Sequence, residues 1–246
     1  MAPGIALAET LQARGHPPGM AIVDPIYDGR GILVPPAEYL QGLARRVKAA
    51  GGLVVADEVQ SGLTRLGDHY WGFMDSGVIP DIVTMGKPMA DGHPLGVVVT
   101  TPDIAQAFAE HGEYFNTFGG NPVSAAAGKA VLEVVAADNL LANVGHTGAY
   151  LRAALLELAT RYEIIGDVRG KGLFLGIELV SDRCSKSPAT GAAADIVEAM
   201  RDNGVLISRI GEHGNILKLR PPLVFNAEHA DVAIECLDAA LLAHGW

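Results

Sequence analysis

Val54-Val55-Ala56-Asp57-Glu58-Val59-Gln60 and Ile82-Val83-Thr84-Met85-Gly86-Lys87 are two short apolar runs, and each ends on a functional group. Both have the length and the β-branched content of a buried strand. The first delivers a carboxylate, Asp57. The second delivers an amine, Lys87, followed at once by Pro88. In parallel sheets, chemistry gathers where strands end and loops begin. An acid and a lysine presented in this way suit pyridoxal phosphate: the lysine forms a Schiff base, and the acid keeps the pyridine nitrogen protonated so that the ring accepts electrons.

Outward from these runs, apolar stretches alternate with amphipathic ones, the texture of an α/β protein. Residues 4–14 read as a helix broken by Gly15-His16-Pro17-Pro18-Gly19, and Met20–Val23 as a strand ending at Asp24-Pro25. Pro35-Pro36 opens a helix through about Ala50, in which Leu40, Leu43, Ala44 and Val47 recur at helical spacing. Gly96–Thr100 reads as a strand, and Pro102–Glu110, Pro122–Ala136 and Leu140–Arg161 as helices. Beyond them, Leu173–Leu179, Val205–Ser208 and Ile216–Leu219 are predicted strands, with helices over Ala192–Asp202 and Ala227–Ala243. The change of texture near residue 138 predicts a boundary, with one domain over 1–137 and a connecting helix plus a smaller domain over 138–246.

Composition narrows the function. Net charge is −10, with no cluster of Lys and Arg and aromatic content of 6%. A chain of that kind has no basic field with which to displace counterions, which argues against non-specific binding to nucleic acid, and no nucleic-acid partner is expected. No stretch approaches the roughly 20 apolar residues of a membrane span, and the start lacks the basic and apolar regions of a signal peptide. Cys184 and Cys236 fit no metal spacing and read as free thiols of a cytoplasmic protein. Hydrophobic residues at 49% and charged residues at 19% suit a protein with a substantial core that also buries surface against a partner.

Three stretches in a fixed order resemble the class III (ω-type) aminotransferases of fold type I. They are Ala56-Asp57-Glu58-Val59-Gln60-Ser61-Gly62, Pro80-Asp81-Ile82-Val83-Thr84-Met85-Gly86-Lys87 and Asn116-Thr117-Phe118-Gly119-Gly120-Asn121-Pro122. The likeness continues through Gly166-Asp167-Val168-Arg169-Gly170-Lys171-Gly172-Leu173 to Pro221-Pro222-Leu223. It implies the aspartate-aminotransferase-like α/β fold, pyridoxal 5'-phosphate as cofactor, no metal, and transfer of an amino group from a small primary amine or amino acid. It further implies that Asp57 pairs with the pyridine nitrogen, Gln60 bonds the phenolic oxygen, and Lys87 carries the cofactor and moves protons. Thr117 would reach the cofactor phosphate of the other subunit of a homodimer, so that the active site is shared. Glu58, which points the other way from Asp57 on a strand, reads as structural. His93 reads as a turn residue, and Asp167 and Arg169 as positioning the second domain.

The chain departs from that family in two respects. Its members carry a long N-terminal part with a phosphate-binding loop and an aromatic that stacks on the ring, and neither is found here. The chain therefore matches the C-terminal portion of such an enzyme: a fragment, a truncated non-catalytic product, or one half of a split enzyme. At the substrate end, many members have an arginine three residues before the paired prolines, where this chain has Lys218. A lysine cannot make arginine's planar two-point contact with a carboxylate. Arg220, two residues on and on the same strand face, is the other substrate-binding candidate. The family's glutamate before a proline is shortened here to Asp24. Lys218, together with Glu113-Tyr114-Phe115-Asn116-Thr117, resembles the ethanolamine-phosphate and phosphohydroxylysine phospho-lyases, in which the same machinery eliminates phosphate. A lysine suits phosphate as a point charge.

Overall fold

The computed structural model describes residues 3–243 and 245. The chain divides into two compact units, and the division is not a single cut. Of the described residues, the first unit holds 3–25, 35–63 and 69–139; the second holds 26–34, 64–68, 140–243 and 245.

In the first unit, strands β1 (Met20–Val23), β2 (Leu53–Asp57), β3 (Ile82–Met85) and β4 (Val97–Thr100) form one sheet in that order. The first three run parallel, and β4 is antiparallel to β3. Helix α1 (Pro3–Ala13) and helix α2 (Ala37–Ala49) bury Ile5, Ala8, Leu43, Ala44 and Val47 with Val54 of β2. Arg46 and Lys48 lie in the last turn of α2, where cations favour the helix dipole. Asp81 accepts from the Val54 amide at 2.8 Å and from Lys48 Nζ at 2.9 Å, and so ties β2 to the start of β3. Two further helices follow, α3 (Pro102–His111) and α4 (Pro122–Ala137). Helix α4 starts where the sequence indicates: Asn121 caps it by accepting from the Ser124 amide at 2.9 Å, and Pro122 occupies the first turn.

The second unit is built on helix α5 (Leu140–Arg161), strand β5 (Ile165–Lys171), strand β6 (Phe174–Asp182), the short β7 (Ser187–Pro188), helix α6 (Thr190–Asp202), strands β8 (Ser208–Ile210) and β9 (Ile216–Leu219), and helix α7 (Ala227–Ala243). The sheet order is β5-β6-β9-β8, all antiparallel, with β7 beside β6. Leu151, Leu155 and Leu158 of α5 share a core with Leu175, Ile177 and Leu179 of β6 and with Ile196 and Leu237. Phe174 packs separately with Ile26, Ile32 and Leu66, which explains why residues 26–34 and 64–68 belong to this unit.

Two strand readings need correction. The strand expected over Val205–Ser208 begins only at Ser208, which pairs with Lys218, and runs on to Ile210. Residues 205–207 are apolar but lack a ladder partner, and they line a cavity instead. Strand β5 was not foreseen. Gly166 and Gly170 dilute its pattern, yet Ile165 and Val168 are buried along it. Both cysteines are free thiols, Cys184 exposed and Cys236 buried. Among the described residues, no helix is long and apolar enough to cross a membrane, and no group of His, Cys, Asp and Glu could hold a metal ion.

Candidate active site

The parallel pairing of β2 with β3 sets Asp57 opposite Thr84, and Lys87 follows three residues later in the 3₁₀ turn Lys87–Ala90. Acid and amine thus leave adjacent strands at the same, carboxyl, end of the sheet. Asp57 is half-buried, and its Oδ1 accepts from the Val59 amide at 3.1 Å. Lys87 is exposed. Among the described residues, neither Asp57 Oδ2 nor Lys87 Nζ has a hydrogen bond or ion pair. Gln60 lies half-buried just beyond β2.

Glu58, next to Asp57, is 1% exposed. Its Oε2 accepts from Ser61 Oγ at 2.8 Å and from the Gly72 amide at 2.8 Å, and its Oε1 accepts from the Phe73 amide at 2.7 Å. Burial pushes this carboxyl up from the usual carboxylate range, against the pull of the two amides and the hydroxyl. The Ser61 spacing of three residues is a local signal for such a contact. The two amides come from a segment with no sequence mark.

Thr117 lies in an exposed loop, residues 112–120, whose shape is set locally. Asn116 Oδ1 accepts from the amides of Phe118 and Gly119 at 3.1 and 2.8 Å, and Asn121 Nδ2 donates to Phe118 O at 2.7 Å. His93 Nε2 lies 2.8 Å from Ser124 Oγ, which joins the segment after Lys87 to the start of α4.

Lys218 and Arg220 belong to the second unit. Lys218 Nζ sits 2.6 Å from Asp28 Oδ1, with both side chains 12% exposed, and 5.2 Å above the Phe174 ring. Asp28 is a partner that sequence reasoning missed. Arg220 is exposed. Burial, and then the positive charge of Arg220, push the nearby Arg65 guanidinium down to about 10. Arg65 Nη1 is spent on the carbonyls of Leu173 and Pro221. Arg169 is held by Asp167 at 2.9 Å and by Glu178, and its Nε donates to Gly31 O at 2.7 Å. Its bonds are internal to this unit.

The sequence model for "Aminotransferase class-III" matches residues 8–241. The chain belongs to the class III aminotransferase family. It is 48% identical over 227 residues to the mitochondrial alanine–glyoxylate aminotransferase 2 homolog 2 of Arabidopsis thaliana, a match covering 92% of this chain and 47% of that protein. It is 44% identical to the ethanolamine-phosphate phospho-lyase homolog 1 of Caenorhabditis elegans, over 86% of this chain and 46% of that one. A solved phospholyase from Arthrobacter, in complex with phosphoethanolamine, superposes with a TM-score of 0.94 at 47% identity, covering 98% of this chain and 57% of that chain. The architecture is therefore that of the fold type I enzymes of this family. The chain spans about half the length of the curated relatives it matches.

Proposed function

We propose that this chain supplies the lysine and the ring-binding acid of a pyridoxal-phosphate enzyme that transfers the amino group of a small primary amine or amino acid. The observation that carries the reading is the β2–β3 register, with Asp57 and Lys87 at one end of the sheet. The donor set fits the cofactor: a carboxylate suits a protonated pyridine nitrogen, an amide a phenolic oxygen, and a primary amine an aldehyde. When bound, the cofactor supplies an electron sink for the carbon that bears the substrate amine.

Each residue then has a defined task. Asp57 favours the protonated ring nitrogen by charge. Gln60 donates to the phenolic oxygen. Lys87 would hold the cofactor through Nζ and, when free, would move a proton from the substrate carbon to the cofactor. Thr117 is assigned to the cofactor phosphate of a second copy, which makes the working unit a homodimer. The exposure of the entire Thr117 loop supports that assignment.

A second reading, elimination of phosphate from an amino-alcohol phosphate, has its own support. It rests on the likeness to the Arthrobacter phospholyase solved with phosphoethanolamine, with Lys218 and Arg220 as the cations that the sequence offers for a phosphate, Arg220 exposed and Lys218 paired with Asp28. Incubation with phosphoethanolamine separates the two. Release of phosphate and ammonia with no keto-acid acceptor overturns amino transfer in favour of elimination. Strict dependence on an acceptor supports amino transfer.

A further inference from the structure

Glu58 is a buried acid that the proposed chemistry leaves without a task. Its surroundings are a closed polar cage. Three donors converge on one carboxylate: Ser61 Oγ, Gly72 N and Phe73 N, at 2.8, 2.8 and 2.7 Å. Gly62 and Gly72 leave no slack around it. A Cβ on Gly62 would lie 2.7 Å from Glu58 O, and one on Gly72 would lie 2.6 Å from Ser61 Cβ. The Glu58 amide donates to Thr84 O at 2.9 Å, so the residue is tied to β3 through its backbone and to residues 72–73 through its side chain. It follows Asp57 directly and precedes Gln60 by two residues.

We propose that Glu58 is a positioning residue: its carboxylate draws the two ends of the Val59–Trp71 excursion together and so fixes the corner from which Asp57 and Gln60 face the cofactor ring. The inference rests on the reading of Asp57 and Gln60 as cofactor contacts. A buried network in which every member is satisfied holds one geometry, and one lost acceptor leaves a buried amide unpaired. Glutamine at 58 has that defect, since its NH₂ meets a donor where the native oxygen accepts one.

The test sets Glu58→Gln against Asp81→Asn. Asp81 is an acid at the opposite end of the same strand pair, where it holds the Val54 amide. Two readouts are taken on the native chain and on both variants: amide hydrogen exchange at Val59, which reports the Asp57 carboxylate through its 3.1 Å bond, and absorbance titration with pyridoxal phosphate. The expected result is faster Val59 exchange and affinity weakened by about tenfold or more in Glu58→Gln, as misplaced contacts produce, with neither change in Asp81→Asn. Glu58→Asp, which keeps two acceptor oxygens, recovers part of both. Native-like Val59 exchange and affinity in Glu58→Gln, or equal losses in the two variants, overturn the inference. A native chain that binds no pyridoxal phosphate overturns the proposed function instead, and Val59 exchange still decides whether Glu58 holds the corner.

Discussion

Lys218 Nζ lies 2.6 Å from Asp28 Oδ1, in a pair of which each side chain is only 12% exposed. Two opposite charges at that separation and burial form a pair whose disruption is costlier than its replacement. Asp28→Ala leaves the ammonium without its partner and should lower stability by about 3 kcal/mol. The double variant Asp28→Leu/Lys218→Met should come within about 1 kcal/mol of the native chain. Urea unfolding of the native chain, Asp28→Ala and the double variant measures the difference.

Helix α5 crosses β5 and its following turn at a point where two backbones nearly touch. A Cβ on Gly148 would sit 2.7 Å from Gly172 Cα, and Gly172 itself, at φ +55°, would place a Cβ 2.6 Å from Arg65 O. Alanine normally stabilises a helix interior by about 1 kcal/mol over glycine. Gly148→Ala should reverse that sign and destabilise by about 1–3 kcal/mol through overpacking. Gly191→Ala, in helix α6 with open space at its Cβ, is the matched control and should be neutral or stabilising. Thermal melts of the two variants decide the point.

Asp238 of α7 accepts from the Tyr162 hydroxyl and from Arg161 Nη2 at 2.9 Å. The Tyr162 hydrogen bond, followed by Arg161, holds this carboxyl below the usual range, against partial burial. A carboxyl depressed in the folded state adds stability that is present above its unfolded pKa of about 3.9 and is lost as pH falls through the lower folded value. Asp238→Asn should therefore cost stability at neutral pH and narrow its gap to the native chain below about pH 4. Denaturant midpoints from pH 2 to 7 measure the effect, and a constant gap contradicts it.

Much of this fold is legible because its strands are continuous apolar runs. Ile216–Leu219 and the helix Ala227–Ala243 stand as the sequence indicates. Strand β5 is concealed by Gly166 and Gly170, whose missing side chains remove the pattern while the backbone still pairs with β6. Val205–Ile207 has strand composition but no partner beside it, and composition alone carries no information about pairing. The candidate site divides in the same way. Asp57 and Lys87 announce themselves because the one ends its apolar strand and the other follows two residues after its own. Asp28 could not be foreseen as the partner of Lys218, since 190 residues separate them. The Glu58 cage closes over 14 residues through backbone amides, which every residue but proline possesses.

Whether Asp57 and Lys87 form a pyridoxal-phosphate site is decided by an absorbance titration of the purified chain with pyridoxal phosphate, followed by borohydride reduction and peptide mapping. The expected result is a saturable spectral change and a single reduced adduct on Lys87, with the adduct absent in Lys87→Ala and binding weakened in Asp57→Asn. An adduct spread over several lysines, or one that persists in Lys87→Ala, would contradict it.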